Sequence, residues 1–397
     1  MKILLVNDYG DLNGGAEVIV RNLRNTLRAR GHEVLVFASS AGPRTESFFA
    51  DETGYGTTSR WRTLVQTVNY RAARALRRVL SRFRPDVIHV NLYLTQLSPL
   101  ILREFREIPS VYYAQWYRAI CPLGTRRRPT GETCDTAPGV VCLHTGCLPL
   151  RDWPLLALQR QLDQAWGNRF TRVAAISQAV ARRLTQFGAP HLRNPEVIYP
   201  GIEVASPRPN LTTQPTIVTA GRLVPEKGID VLIRAFAKIA NRHPQAQLIV
   251  LGDGPLMASM QYLAAELKVG DRVIFRGQVS HSETLATFRS AWVTCVPSLW
   301  EEPFGMTAAE AQMHGTAVIA SGTGGLAEIV VESETGFLVR PGDVDTLAAR
   351  LQSIVADRDL AWSLGVRGRQ RAEECFSLCA SAARFENLYA AIASDRK

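Results

Sequence analysis

No apolar run in this chain reaches the roughly 18 residues that a membrane-spanning helix needs, and no short-period repeat or low-complexity tract interrupts it. The opening residues, MKILLVN, are too short for a signal peptide and read as a first strand, so the cytoplasm is the expected location. No GxGxxG follows that strand, which disfavours a nicotinamide-dinucleotide site. The cysteines, Cys121, Cys134, Cys142, Cys147, Cys295, Cys375 and Cys379, contain no CxxC spacing. Their odd total and the expected cytosolic setting argue against a disulfide framework. Between residues 60 and 84 there is no acidic residue at all, against eight arginines.

What is present is the composition of a soluble globular protein, 46% hydrophobic and 21% charged. At 397 residues it has room for two ordinary domains. The formal net charge of +10 predicts anionic partners: phosphorylated ligands, nucleic acid or a lipid surface. Strands alternate with helices in two blocks, which predicts an α/β chain of two doubly wound, Rossmann-like parallel sheets covered on both faces. In the first block strands are expected at 3–6, 34–37, 87–90, 110–113 and 173–176. In the second they are expected at 216–220, 247–251, 273–275, 293–296 and 317–320. A proline-rich stretch around Pro207 and Pro209 reads as a linker. Domains are therefore expected at 1–205 and 206–376. If the two domains face each other across a cleft, their strand ends line it, and ligands bind at such ends. Loops 7–15, 221–228, 252–255, 297–305 and 321–325 all follow expected strands.

Glu302-Pro303-Phe304-Gly305-Met306-Thr307-Ala308-Ala309-Glu310 sets two carboxylates around a loop that opens a helix. Proline holds Glu302 extended, ahead of the helix, while Glu310 falls about one turn inside it. The first backbone N–H groups, from Gly305 to Thr307, suit a phosphate or a sugar hydroxyl. Paired carboxylates can hold a ribose and a hexose through their vicinal diols. A capped surface helix with acidic residues in its first turn fits the same residues. In Gly221-Arg222-Leu223-Val224-Pro225-Glu226-Lys227-Gly228, the arginine fork and the lysine point charge can converge on a diphosphate. A basic turn before an amphipathic helix is the alternative. Gly252 and Gly254 of GDGP would let a ligand approach the backbone, although most such loops are simply tight turns. Gly14-Gly15-Ala16-Glu17 opens another helix with exposed N–H groups.

Taken in order, GGAE, GRLVPEKG, GDGP and EEPFGMTAAEA resemble the retaining glycosyltransferases of family 4, with the GT-B fold. The resemblance covers essentially the whole chain and is closest in the second half. It implies transfer of a sugar from a nucleotide-diphosphate sugar, with no cofactor or metal required. Arg222 and Lys227 would neutralise the diphosphate, Glu302 would bind the sugar ring near the N–H groups of Phe304, Gly305, Met306 and Thr307, and Glu310 would hold the ribose. Gly14 and Gly15 would close over the phosphates, with Gly221, Gly252 and Gly254 also on the donor side. The last segment, 377–397, would cross back to the first domain. Two rivals use the same residues: a nucleotide-sugar hydrolase or sugar phosphorylase, and a degenerate nucleotide-sugar-binding protein.

Related sequences often carry a His-Asp pair where this chain has Gln115 and Trp116, ahead of Tyr117-Arg118 and Cys121-Pro122. A neutral amide cannot act as a general base. In a front-face mechanism the leaving phosphate can take the acceptor's proton instead, and His89 is a second possibility beside its reading as a core histidine. An altered acceptor (a saccharide, a lipid-linked saccharide or a small natural product) is the expected reason for the change. Cys121, Cys134, Cys142 and Cys147, with His144, form a metal candidate in a subgroup that bears such an insert. Segment 60–84 is expected to be one helix with an apolar stripe of Val65, Val68, Ala72, Ala75, Val79 and Phe83. Arg71, Arg74, Arg78 and Arg82 lie opposite. They form either a solvated face or peripheral contact with an anionic membrane. No aromatic interleaving accompanies the charge, so nucleic acid is not expected. Asp343-Val344-Asp345 and Asp357-Arg358-Asp359 read as helix caps rather than metal ligands.

Overall fold

The computed structural model describes residues 1–12, 14–42, 44–206, 208, 210–211 and 213–394. Pro207 and Pro209 of the expected linker and the last three residues of the expected C-terminal segment lie outside the described residues. Two compact units are present: Met1–Gly201 with Leu378–Lys397, and Ile202–Ser377.

The first unit carries strands β1 (Lys2–Tyr9), β2 (Glu33–Ser39), β3 (Glu52–Gly54), β4 (Val87–Val90), β5 (Ser110–Ala114), β6 (Arg172–Ala175) and β7 (Glu196–Val197). They form one parallel sheet in the order β3-β2-β1-β4-β5-β6-β7. Ile3, Leu4, Leu5 and Val6 have no exposed surface, as an unbroken apolar run in a sheet covered on both faces requires. The order reverses between β1 and β4, and there the carboxylate of Asp8 accepts from the backbone N–H groups of Thr95, Gln96 and Leu97 and from Thr95 Oγ1. The helix Leu378–Ser394 closes this unit. Its Phe385 and Tyr389 rings pack on His89, and Glu386 accepts from Arg30 at 2.7–2.8 Å.

The second unit carries β8 (Thr216–Ala220), β9 (Gln247–Leu251), β10 (Val273–Gly277), β11 (Val293–Val296), β12 (Ala317–Ser321) and β13 (Gly336–Val339). Its parallel order is β10-β9-β8-β11-β12-β13, with the reversal between β8 and β11. Fully buried Ile217, Leu232, Phe236, Leu248, Ile319 and Leu351 tie this sheet to its helices.

Each strand expected from the sequence is present, with ends shifted by a few residues at most. β3, β7 and β13 were not expected, being short or at a sheet edge, where alternation has little room to show. The basic segment differs from expectation. It forms two helices, Arg62–Thr67 and Tyr70–Phe83, because Asn69 accepts from Ala72 N at 3.0 Å and caps the second. That break resets the helical phase, so the buried face is Ala72, Ala73, Leu76, Val79, Leu80 and Phe83, while Val68 is 43% exposed. Arg77 is paired with Glu104 at 2.6 Å and Arg82 with Glu52. Cys375 and Cys379 lie on two helices, split at Ser377, rather than one turn apart on one.

Candidate functional site

In an open parallel sheet the carboxyl ends at the reversal of strand order leave a crevice. In the second unit the loops after β8 and β11 flank that point. The β8 loop leaves through Gly221 and ends at Gly228, whose φ of 63° is left-handed and whose added Cβ would lie 2.2 Å from Pro297 O. Glycine there lets one loop rest on the other. Leu299 N donates to Glu226 O at 2.8 Å and fixes the contact. The result is that Lys227 Nζ lies 2.6 Å from Glu302 Oε1, across 75 residues of sequence. Ser298 Oγ donates to the same oxygen. Glu302 is only 6% exposed, and its Oε2 has no partner among the described residues.

Beyond Glu302, Gly305 (φ 115°) turns the chain into the helix Met306–Met313. An added Cβ at Gly305 would meet Leu326 Cδ2 at 2.4 Å. Phe304 is buried against the ring of Phe376. Met306 and Thr307 begin the helix, whose first N–H groups have no acceptor within it. Glu310, one turn on, is pushed up to about 7 by burial, with His281 Nε2 at 3.7 Å. Arg222 is exposed and has no side-chain partner among the described residues. The structure thus joins Lys227 to Glu302 and adds Ser298, which no sequence signal marked; it does not bring Arg222 into that contact. Gly252 and Gly254 pack against a neighbouring loop: their added Cβ atoms would lie 2.0 Å from Gly221 O and 2.5 Å from Leu223 O.

In the first unit, Gly14 and Gly15 are exposed at the start of the helix Gly15–Ala29, with Gly14 extended. Glu17 in its first turn is buried and pushed up to about 7 by that burial. His89 is a core residue. Its Nδ1 meets Tyr389 OH at 2.5 Å, Tyr113 and Phe385 flank the ring, and burial pulls its pKa down to about 3. Gln115 is buried, donates from Nε2 to Asn91 Oδ1 at 2.8 Å, and leaves Oε1 without a partner. The expected metal candidate is not assembled: among the described residues no three His, Cys, Asp or Glu side chains gather as ligands. Cys134 and Cys147 turn instead to the hydroxyls of Thr136 and Thr145, at 3.3 Å each. Cys142 packs with Leu148 and Leu156, and Cys121 is a free, half-buried thiol. Asp343 and Asp357 cap helices through Thr346 N and Leu360 N.

Two family models divide the chain between them. "Glycosyltransferase Family 4" matches residues 13–206, and "Glycosyl transferases group 1" matches residues 203–371. The chain belongs to glycosyltransferase family 4. It is 27% identical over 402 residues to a glycogen synthase of Mycobacterium tuberculosis, covering 94% of this chain and 90% of that protein. It is 31% identical over 299 residues to a D-inositol 3-phosphate glycosyltransferase of Nocardia farcinica, covering 69% and 66%. The solved sucrose-phosphate synthase of Thermosynechococcus elongatus superposes with a TM-score of 0.75 at 25% identity, covering 100% of both chains. The fold is GT-B, the family's pair of Rossmann-like domains, and the family 4 chain is a glycosyltransferase using a nucleotide sugar. Among the described residues no helix is long and apolar enough to cross a membrane.

Proposed function

We propose that this family 4 chain moves a sugar from a nucleotide-diphosphate sugar to a hydroxyl acceptor, with retention at the anomeric carbon and without a metal ion. The observation that carries the reading is the Lys227–Glu302 pair, braced by Ser298, at the strand-order reversal of the second unit. Lys227 and Ser298 both bind Oε1, so Oε2 is the oxygen left to accept from a sugar hydroxyl. Lys227 has two further N–H donors for a diphosphate oxygen, and exposed Arg222 supplies a second positive charge. Glu310 accepts from the ribose hydroxyls, and the first N–H groups of the helix Met306–Met313 favour the donor's negative charge.

In the transfer step the bond from the anomeric carbon to the diphosphate oxygen breaks. The acceptor oxygen bonds to that carbon on the same side, and its proton passes to the departing phosphate oxygen. This route suits a chain whose Gln115 cannot take up a proton and whose His89 is sealed in the core with its pKa near 3. The expected acceptor is a saccharide, a lipid-linked saccharide or a small natural product. The cytoplasm is the expected setting, and exposed Arg71, Arg74 and Arg78 would favour peripheral contact with an anionic membrane. The test is to supply UDP- and GDP-linked α-sugars with chelator present and to assign the product anomer by proton NMR. An α-linked product supports the reading. A β-linked product would sink retention, and activity abolished by chelator would sink metal independence.

A further inference from the structure

A cavity of about 380 Å³ opens in the first unit, at the carboxyl ends of the strands beside the sheet's reversal. Tyr9 at the end of β1, Leu92 and Thr95 after β4, and Trp116 and Arg118 after β5 line it. Arg118 also lines a neighbouring cavity of about 270 Å³. Its Nη2 reaches Gln66 Oε1 and Leu94 O only at 3.3 and 3.4 Å, long for such bonds. Leu94 O already accepts from Gln159 at 2.9 Å. Arg118 Nε is buried with no partner, and no carboxylate is ion-paired to this guanidinium among the described residues.

Asp8 is the carboxylate that most favours its charge, yet the Asp8 oxygens are engaged by Thr95, Gln96 and Leu97. Burial pulls the Arg118 pKa down to about 10, and Arg62, exposed on the cavity wall, adds a second positive charge. Asp152 is the one acidic residue on that wall. Arg126 provides a contrast. It too is buried, with Nε and Nη2 unpartnered, but it stacks 4.0 Å over Phe187, donates to Thr136 O, and lines neither cavity, so it has no space beside it for a ligand. An arginine with a fork of donors, held in a cavity without its counter-charge, is costly unless a ligand supplies that charge.

We infer that the first unit holds a subsite for an anionic acceptor, one bearing a phosphate or carboxylate, seated on Arg118 with its body against Tyr9 and Trp116. This rests on the transferase reading and names the acceptor class for it. Arg118 binds the anion as a fork, and Arg62 draws it in.

The test measures affinities of the full chain for glucose, glucose 6-phosphate and glucuronate by calorimetry, in wild type, Arg118→Gln, Arg118→Lys and Arg222→Ala. At least one of the anionic sugars is expected to bind wild type tenfold or more tightly than glucose. Arg118→Gln should lose that preference, Arg118→Lys should keep part of it, and Arg222→Ala should keep it while losing UDP or GDP affinity. Equal binding of all three sugars, or a preference that survives in Arg118→Gln, would overturn the subsite. Where Arg118→Gln melts early, Arg118→Lys carries the test, and an undiminished preference in it counts against the fork. Vesicles of phosphatidylglycerol against phosphatidylcholine separate the sources. Arg118-dependent retention on the anionic vesicles assigns the group to a lipid headgroup, and dependence seen only with soluble sugars assigns it to a free one. An intact Arg118-dependent preference in a chain that binds neither UDP nor GDP would support the subsite and sink the donor reading.

Discussion

Replacing Lys227 with methionine keeps the length of the side chain and removes its charge, leaving the Glu302 carboxylate with Ser298 as its one remaining partner among the described residues. The Glu302 side chain is 8% exposed and that of Lys227 is 25%, so the pair lies between the buried and surface limits. Breaking a fully buried pair costs about 3–5 kcal/mol, and a surface pair is worth about 0–1 kcal/mol. Partial screening at the lysine end sets the expected loss for Lys227→Met at about 1–3 kcal/mol. Glu302→Gln removes the other half of the same pair. The double variant should therefore cost less than the sum of the two by about 1–2 kcal/mol. Urea unfolding of wild type, both single variants and the double variant measures this coupling. Transfer should fall about a hundredfold or more in Lys227→Met, since a well-placed donor to developing negative charge is worth roughly 3–4 kcal/mol. Additive stabilities within about 0.5 kcal/mol, together with unchanged turnover, would refute the reasoning that this contact organises the donor site.

Glu310 has a folded-state pKa near 7 against an ordinary 4.5, so its stabilising share is complete below about 4.5 and is lost as pH rises through 7. Glu310→Gln should accordingly be more stable than wild type at pH 8, by about 2–3 kcal/mol, with the gap closing towards pH 4.5; a gap constant with pH in thermal melts would refute it. If the ionised carboxylate holds the ribose, nucleotide affinity should rise across pH 6–8 in wild type and stay flat in the glutamine variant, which calorimetry reads. Gly252→Ala should cost about 2–4 kcal/mol by urea unfolding, because its Cβ would meet Gly221 O at 2.0 Å from a φ of 125°; a neutral result would mean the two loops part readily. Charge reversal at Arg74 and Arg78 should release the chain from anionic vesicles in co-sedimentation, as should added salt, which shortens the field to about 8 Å at physiological strength; equal binding to neutral vesicles would mean these arginines are merely solvated.

The sheets were legible because buried parallel strands write themselves as apolar runs, as residues 3–6 and 317–320 do. The short edge strand β7 offers two residues and no such run. Helix phase failed where a polar side chain intervened: Asn69 caps a second helix inside a stretch whose spacing suggested one. In the site, Glu302 and Lys227 were each marked by their motifs, but their direct bond was not. Chain position says nothing about which loops meet at a reversal of strand order. Ser298 was invisible for the same reason, since a lone serine before a glutamate carries no spacing rule. The buried, unpartnered Nε of Arg118 could be read only from the space around it.

The helix Leu378–Ser394 belongs to the same unit as residues 1–201, so that unit is assembled from two segments separated by the whole of the second unit. On a ribosome its sheet emerges long before the helix that covers His89, and the whole of Ile202–Ser377 is made in between. The second unit, a continuous segment, has all its residues in hand first. The first must hold an uncovered apolar surface at His89 and Tyr113 until Phe385 and Tyr389 are added. A ribosome that stops just after Ser377 therefore releases a chain with its second unit whole and its first unit unsealed, which is the kind of surface that chaperones and proteases engage.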